Sequence, residues 1–536
     1  MAYSYTEFPY CKPLELTGGS SDAPIAIIGA GPVGLALAID LAQRGVKSVV
    51  LDDNNIVSVG SRAICWAKRT LEIFARLGIG EKMLEKGVTW KIGRLFHGSK
   101  EVYAFDLLPE EGHQYPAFLN LQQYYVEEYL VQRCHDFPDL IDLRFLNTVT
   151  SHHDLGDRVE LTVETPDGTY RLDVTYVVAC DGANSPTRER MELAFEGQTF
   201  EEQFLIADIE MEDSPFGHKD VPERWFWFDP PFHQGRSALL HMQPDSIYRI
   251  DLQLDADADG KAEAAEDKVL PRIKAIVGEK PFKLDWVSVY RFGCIRLEKF
   301  VHGRVIFAGD SAHVVSPFGA RGGNGGVQDV DNLGWKLAAI VQGEAGPGLL
   351  HSYEDERGHG ADENIKNSSR ATSFMTPKTP VEALFRREAL RLAYDHTFAR
   401  KMLNSGRLSM PCSLDKLPLQ TPADEGVGLA PGSPMLDAPI VGAHGDDVWL
   451  IGSMPQGFTL LGFGDVSLPD IDGVQSMLVA RPDAAVLDRY GHDVVYLIRP
   501  DQHVAARFGA NPSPAAIEAA RARALGHAPD LQVAAA

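Results

Sequence analysis

Cysteine is scarce in this 536-residue sequence, and none of it is paired at short spacing. Cys11, Cys65, Cys134, Cys180, Cys294 and Cys412 are scattered, with no Cys-x-x-Cys among them. That excludes a zinc-ribbon or dithiol motif and a disulfide framework, so no metal site is expected and the thiols read as reduced. No apolar run reaches the length of a membrane-spanning helix. The opening residues, MAYSYTEFPYCKPLEL, lack the basic start and apolar run of a signal peptide. Positive charge is short as well: 51 Lys and Arg face 75 Asp and Glu, a formal net charge of −24. Nucleic acid and anionic membranes are thereby disfavoured as partners, although a local basic pocket for an anionic substrate is compatible with an acidic surface. What is present is ordinary for a soluble globular chain, with 44% hydrophobic and 24% charged residues. The length suggests about two to four domains. The expectation is an acidic, cytoplasmic, multidomain protein.

Residues 27–37, IIGAGPVGLAL, contain a Gly-x-Gly-x-x-Gly. Its context gives it weight. IAII at 25–28 reads as a strand buried on both faces, VGLALAIDLAQRG as a helix, and KSVVLDD as a second buried strand ending in Asp52 and Asp53. In such a βαβ unit Gly29 permits the tight turn, Gly31 lets a pyrophosphate approach the backbone, and Gly34 lets helix and strand pack closely. The helix start offers free N–H groups to phosphate, and Asp52 suits a ribose hydroxyl. Gly29, Ala30, Gly31, Pro32, Val33, Gly34, Asp52 and Asp53 are therefore candidate cofactor contacts. NAD and FAD both use this unit, and the motif alone leaves the two open.

Two more stretches have the same form. In YVVACDGANSPTRER, 176–190, a buried strand runs into Asp181 and Gly182; taken alone this is an ordinary surface turn. In RVIFAGDSAHVVSPFGARGGNGGVQDVDNLGWKL, 304–337, a buried strand ends at Gly309 and Asp310, and a glycine-rich loop then feeds a strong amphipathic helix. Glycine there permits a flat ligand to lie against the backbone, and a helix start stabilises negative charge.

The three stretches, in this order, resemble the class A flavoprotein aromatic hydroxylases, the group of para-hydroxybenzoate hydroxylase and the phenol hydroxylases. The resemblance covers about residues 23–395. It implies an α/β fold: a Rossmann-like FAD-binding domain in two parts, 23–198 and 299–395, around an antiparallel-sheet substrate domain, 199–298. Residues 396–536 are then a linker and a C-terminal thioredoxin-like domain, the last on the likeness of YLIRPDQHVAARF to the phenol and phenylpropionate hydroxylase branch. With no cysteine after Cys412, that module has no thiol chemistry, and a structural or dimer-contact role, in a homodimer, is expected of it.

Carried over position by position, the resemblance implies that Asp52 stands for the usual ribose-binding glutamate. Arg62 lies near the pyrophosphate or ribityl, and Gln123 lies on the ribityl side, with Gln122 as the alternative register. Asp181 and Gly182 serve FAD and NAD(P)H; Gly309 and Asp310 hold the ribityl. Pro317 turns its carbonyl to the reactive edge of the flavin, and the N–H groups of Gly322, Gly323 and Asn324 hold the isoalloxazine. The usual Gly-Gln-Gly-Met-Asn run is ARGGN here, which puts Arg321 beside the flavin, facing an anionic substrate or flavin, or else solvent.

The alternating segments of 200–298 suggest strands of a sheet with one buried face. From them come Trp225, Trp227, His241, Gln243 and Tyr290 as candidate pocket residues, with Phe318 from the glycine loop. The implied reaction is NAD(P)H-dependent hydroxylation, with O2, of a small phenolic or electron-rich aromatic substrate through a C4a-hydroperoxyflavin. His241 is the candidate base for the substrate hydroxyl; His241, Pro317 and Arg321 form the expected catalytic set. Two rival readings are a flavin enzyme that inserts no oxygen or expands the ring of a ketone, and a non-catalytic FAD-fold binding protein.

Overall fold

The computed structural model describes residues 3–528 apart from 109, 218–221, 234, 404–409, 424–425 and 443–444. Its first unit is a six-stranded sheet in the spatial order Val301–His302, Val305–Phe307, Tyr176–Ala179, Ile25–Ile28, Ser48–Asp52, Ile141–Phe145. All neighbours are parallel except the first pair. Every residue of Ile25–Ile28, Tyr176–Ala179 and Val305–Phe307 is buried, because helices cover both faces. This is why those strands read as unbroken apolar runs. Parallel pairing puts their carboxyl ends on one edge, so Gly29, Asp181 and Gly309, far apart in sequence, emerge side by side.

The second unit is an eight-stranded sheet in the order His313–Val314, Lys283–Leu297, Phe195–Glu210, Ile247–Leu254, Ser237–Met242, Glu223–Phe228, Ile92–His97, Lys100–Asp106. It is antiparallel except where Ile92–His97 runs parallel to Glu223–Phe228. The hairpin 92–106 thus joins this sheet although it lies inside the stretch of sequence assigned to the first unit. Side chains alternate between its two faces. Leu205, Ala207, Leu240, Ile250 and Leu252 pack under the helix Glu266–Val277. On the other face, Phe204, Phe228 and Leu239 meet Phe318, Met375 and Leu390 from the first unit and its following helices.

The C-terminal module has a four-stranded sheet in the order Gln475–Val479, Thr459–Phe463, Val494–Ile498, Val504–Gly509. The first pair is parallel and the others antiparallel. It packs on the helix Gly322–Val341 and the start of Leu349–Met375 through Trp335, Ala339 and Leu349 against Phe458, Leu460 and Leu497. Among the described residues no helix is long and apolar enough to cross a membrane.

An ionic knot lies in that contact. Both Glu356 oxygens accept from Arg499, at 2.5 and 2.8 Å. Lys336 (2.8 Å), Asn332 (2.7 Å) and Gln420 (2.9 Å) also donate to Glu356. Arg499 in turn holds Asp501, which also receives the Trp335 indole N–H at 3.2 Å. Burial opposes the charge on Glu356, but Arg499 and Lys336 outweigh it and hold the carboxyl well below its ordinary range. Removing one partner of a buried pair strands the others. We expect Glu356→Ala to destabilise the protein by about 3–5 kcal/mol in chemical denaturation; a loss under 1 kcal/mol would show the knot to be dispensable.

Candidate active site

The first glycine turn is sterically closed on the inside and open on the outside. Gly29 has φ +106°, and a Cβ there would sit 2.5 Å from the Cys180 carbonyl oxygen. A Cβ on Gly34 would overlap the Gly29 carbonyl oxygen. Gly31, by contrast, has nothing within 4 Å of where a Cβ would stand. The helix Pro32–Gln43 begins beside it with no side-chain cap, so its first N–H groups face the opening. Val33 packs inward against Gly309 and Gly326, where an added Cβ would lie 3.0 and 2.7 Å from it. Asp52 accepts the Ala30 N–H at 2.6 Å and the Asn54 N–H at 2.8 Å. Burial raises its pKa while those two bonds oppose the rise. Asp52 therefore braces the turn as well as bordering it; the exposed Asp53 receives the Asn54 amide at 2.9 Å.

At the second strand end Asp181 accepts the Thr187 N–H through Oδ2 at 3.0 Å, while its buried Oδ1 has no partner among the described residues. Gly182 has φ +78°. At the third, the Asp310 carboxylate is solvent-accessible, yet enough protein surrounds it that burial raises its pKa. Its turn is nailed from behind by Asp329, whose Oδ2 accepts the Gly309 N–H at 2.9 Å and pairs with His313 Nε2 at 2.6 Å. Arg357 Nε donates to the other oxygen at 2.6 Å. Burial opposes this charge too, but His313 and Arg357 hold Asp329 below its ordinary range. These three residues are absent from the set read from sequence. The signal was a pair of acids, Asp329 and Asp331, close together in the helix that follows the glycine loop, in GGVQDVDNLGW.

The glycine loop turns at Ala320, which has φ +53°. The Ala320 N–H donates to the Pro317 carbonyl at 3.0 Å, so that carbonyl closes its own loop. Asn324 Oδ1 accepts the Ala67 N–H at 2.9 Å, and its amide donates to the Cys65 carbonyl at 2.9 Å. The Asn324 side chain thus ties the loop to the strand Cys65–Ala67. The helix starts at Gly322 with no side-chain cap, leaving the Gly322 and Gly323 N–H groups toward the cleft. Of the two directions weighed for Arg321, solvent is corrected: the residue is 6% exposed and donates to Asn364 of the long helix at 2.9 Å, so it is turned into the protein.

Arg62 is exposed, its guanidinium 5.9 Å from the centre of the Tyr290 ring. Gln123 supports the Arg62 loop: it accepts the Ala63 N–H at 3.1 Å and donates to Ser58 and Glu127. Gln122 is buried, with its amide nitrogen 3.4 Å from the Pro244 carbonyl.

Over this cleft stands one face of the large sheet. Phe204 packs on Phe318 with centroids 4.9 Å apart, Phe292 on Phe318 at 6.2 Å, and Tyr290 lies opposite Phe204 in the ladder. Trp225 and Trp227 are corrected by the structure: they belong to the other face, packed with Phe96, Phe216 and Phe232. Period-two alternation sends Arg224, Phe226 and Phe228 inward in their place.

His241 and Gln243 are on the inward face, inside a buried charge cluster. His241 Nε2 is 3.1 Å from Asp251 Oδ2, and Gln243 donates to Asp208, which also holds Arg249 at 2.7 and 2.8 Å. Burial, reinforced by Arg224, lowers the His241 pKa to about 4. A ring that holds a proton so weakly is a poor terminal acceptor for a phenol's proton. Among the described residues, four acceptors here lack a donor: Gln122 Oε1, Gln243 Oε1, Asp251 Oδ1 and, with Nε2 donating to Asp251, His241 Nδ1; Arg224 Nε lacks an acceptor. The amide orientations are fixed, because both Gln nitrogens face groups that only accept.

Residues 22–368 match the family of the FAD binding domain. A flavin-dependent monooxygenase of Mycobacteroides abscessus is 32% identical over 353 residues, 62% of this chain and 70% of that protein. A 3-(3-hydroxy-phenyl)propionate/3-hydroxycinnamic acid hydroxylase of a Mycobacterium species is 30% identical, with 69% of this chain and 63% of the relative covered. Among solved structures, the flavin-dependent monooxygenase PieE, in complex with FAD and substrate, superposes with a TM-score of 0.79 at 20% identity. That alignment covers 94% of this chain and 99% of PieE. The p-nitrophenol 4-monooxygenase PnpA from Pseudomonas putida gives 0.65 at 25%, covering 73% and 99%. With a strand edge shaped for a dinucleotide and relatives of this kind, the chain is an enzyme belonging to the FAD-binding family of flavin-dependent monooxygenases and hydroxylases.

Proposed function

We propose that this enzyme hydroxylates a small phenolic or similarly electron-rich aromatic ring, drawing on NAD(P)H and dioxygen. The observation that carries the reading is the meeting of the two units. Room at Gly31 and an accessible Asp310 carboxylate lie at the strand ends, and the glycine loop brings Phe318 against Phe204 and Phe292 on the sheet face that also carries Tyr290. The residues fit FAD. Gly31 and the uncapped helix start would take its pyrophosphate, Asp52 a ribose hydroxyl, Asp310 the ribityl, and the N–H groups of Gly322 and Gly323 the edge of the ring. Bound there, FAD would supply electron storage and the activation of dioxygen.

The protein's own part is to hold, orient and keep dry. The half-buried Tyr290 and Phe292 would give an aromatic substrate faces to pack on, and the buried Phe204 and Phe318 help exclude water from the reacting edge. The neutral His241 ring and its neighbouring orphaned acceptors suit a hydroxyl donor, orienting it by hydrogen bonds rather than by taking its proton. We also read the C-terminal module as thioredoxin-like, on its strand order and its single parallel pair.

A panel of phenols, hydroxybenzoates and nitrocatechols should contain compounds that stimulate NAD(P)H oxidation and gain one oxygen atom from labelled dioxygen; if none does, this reading fails. Gly31 has φ −78°, which alanine adopts freely. Gly31→Ala should therefore fold normally while losing FAD affinity by at least tenfold in a fluorescence titration. Gly34→Ala, which forces overlap with backbone, should lower the melting temperature itself. The lowered His241 pKa has a defined sign. The unfolded ring takes its proton near pH 6.5 and the folded ring only near 4, so stability falls as pH drops through that window. Replacing the ring by His241→Gln should remove up to about 3 kcal/mol of that acid-side loss, read from urea unfolding at pH 7 and pH 4.5.

A further inference from the structure

We infer that residues 3–10, which precede the matched family region, form part of the active-site rim, with Tyr5 as a positioning residue for the loop that carries Arg62. The inference rests on the proposed FAD site and on the place beside it that the family resemblance implies for Arg62. The loop leaves the first sheet after Asp52 and ends at Cys65, where the strand Cys65–Ala67 joins a small separate sheet beside Phe118–Asn120. The N-terminal segment grips it at two backbone points. The Phe8 N–H donates to the Asn55 carbonyl at 2.6 Å, and the Gly60 N–H donates to the Tyr5 hydroxyl oxygen at 3.0 Å.

Both anchors are themselves fixed. Phe8 stacks on Phe145 at 4.6 Å. The Tyr5 ring meets Tyr3 edge-on at 4.9 Å and Tyr124 at 5.9 Å, and the Tyr3 hydroxyl donates to Glu128 at 2.9 Å. The other sides of the loop are held as well. Glu127 accepts the Ser58 N–H and hydroxyl at 2.6 and 2.7 Å. Trp286 of the large sheet lies so close to Gly60 that a Cβ would be 2.5 Å from its ring. Gly60 has φ +73°, so this peptide has no side chain to seat it and depends on what grips its N–H. Two residues further on, Arg62 reaches over Tyr290, and Tyr290 neighbours Trp286 at 6.2 Å. A path of contacts thus runs from Tyr5 through Gly60 to the guanidinium at the mouth of the cleft. Without the Tyr5 hydroxyl, the Gly60 N–H loses its grip and the loop keeps only its other anchors, so Arg62 is placed less firmly.

The test uses the full chain and FAD alone, with neither NAD(P)H nor an aromatic compound, so a failed search for a substrate leaves it standing. Tyr5→Phe removes only the hydroxyl. It should raise the FAD dissociation constant about fivefold, the worth of one hydrogen bond. It should also speed amide exchange at 57–62 in the apoprotein while leaving exchange in the sheets unchanged. Combined with Arg62→Ala, it should add little to the loss that Arg62→Ala causes alone. Unchanged FAD affinity and loop exchange in Tyr5→Phe would overturn the inference. So would fully additive losses in the double variant, or faster exchange throughout the molecule, since Tyr5 would then serve the fold and not the loop.

Discussion

The cleft hangs on a steric constraint at one sheet edge. The Gly29 backbone lies where any Cβ would strike the Cys180 carbonyl, and Gly34 lies where any Cβ would strike Gly29 itself. Val33 fills the space left by Gly309 and Gly326. Three strand ends and two helices are thereby drawn to backbone contact, closer than side chains would permit. That closeness sets the uncapped starts of the helices at 32 and 322 on a common cleft. The glycines do not merely allow a ligand to approach; they set where the walls around it stand.

The carboxylates fall into two groups by how well their oxygens are satisfied. Asp329 and Glu356 are fully enclosed and carry guanidinium, ammonium or imidazole partners on both oxygens. These two lock helices and turns together. Asp310 remains open to solvent, and Asp181 keeps one oxygen without a partner among the described residues. A buried oxygen lacking a donor costs free energy in the folded protein, and a ligand hydroxyl would remove that cost. The same chemical group is cement in one place and binding surface in another, according to what its neighbours have already supplied.

The dinucleotide cleft was legible in the sequence because each of its parts is local. A buried apolar run followed at once by glycine and acid states its own geometry, and parallel pairing does the rest. The substrate wall was less legible. Alternation separates Arg224, Phe226 and Phe228 from Trp225 and Trp227, but only the partners decide which set faces inward. The tryptophans look like pocket residues by type, yet they serve the helix Glu266–Val277 side. The direction of Arg321 depends on Asn364, 43 residues away, and the Arg499–Glu356 pair spans 143. No local pattern encodes such distances. RPDQ at 499–502 did stand out as a motif, but its work of docking one module onto another is visible only in three dimensions.

The parallel pairing of Ile92–His97 with Glu223–Phe228 stitches the two units together, and this bears on how the chain acquires its shape. The large sheet needs a hairpin from before residue 107, and the first sheet needs the strand at 305–307. Neither can be finished as a ribosome releases it until well past residue 300. Contacts of such sequence separation form slowly, because loop closure must precede their reward. Of the three sheets described above, only that of the C-terminal module is built from one stretch of sequence, and it follows the other two, docking onto a surface that must already exist. The nascent chain therefore carries exposed strand edges for most of its synthesis, a state in which aggregation competes with folding.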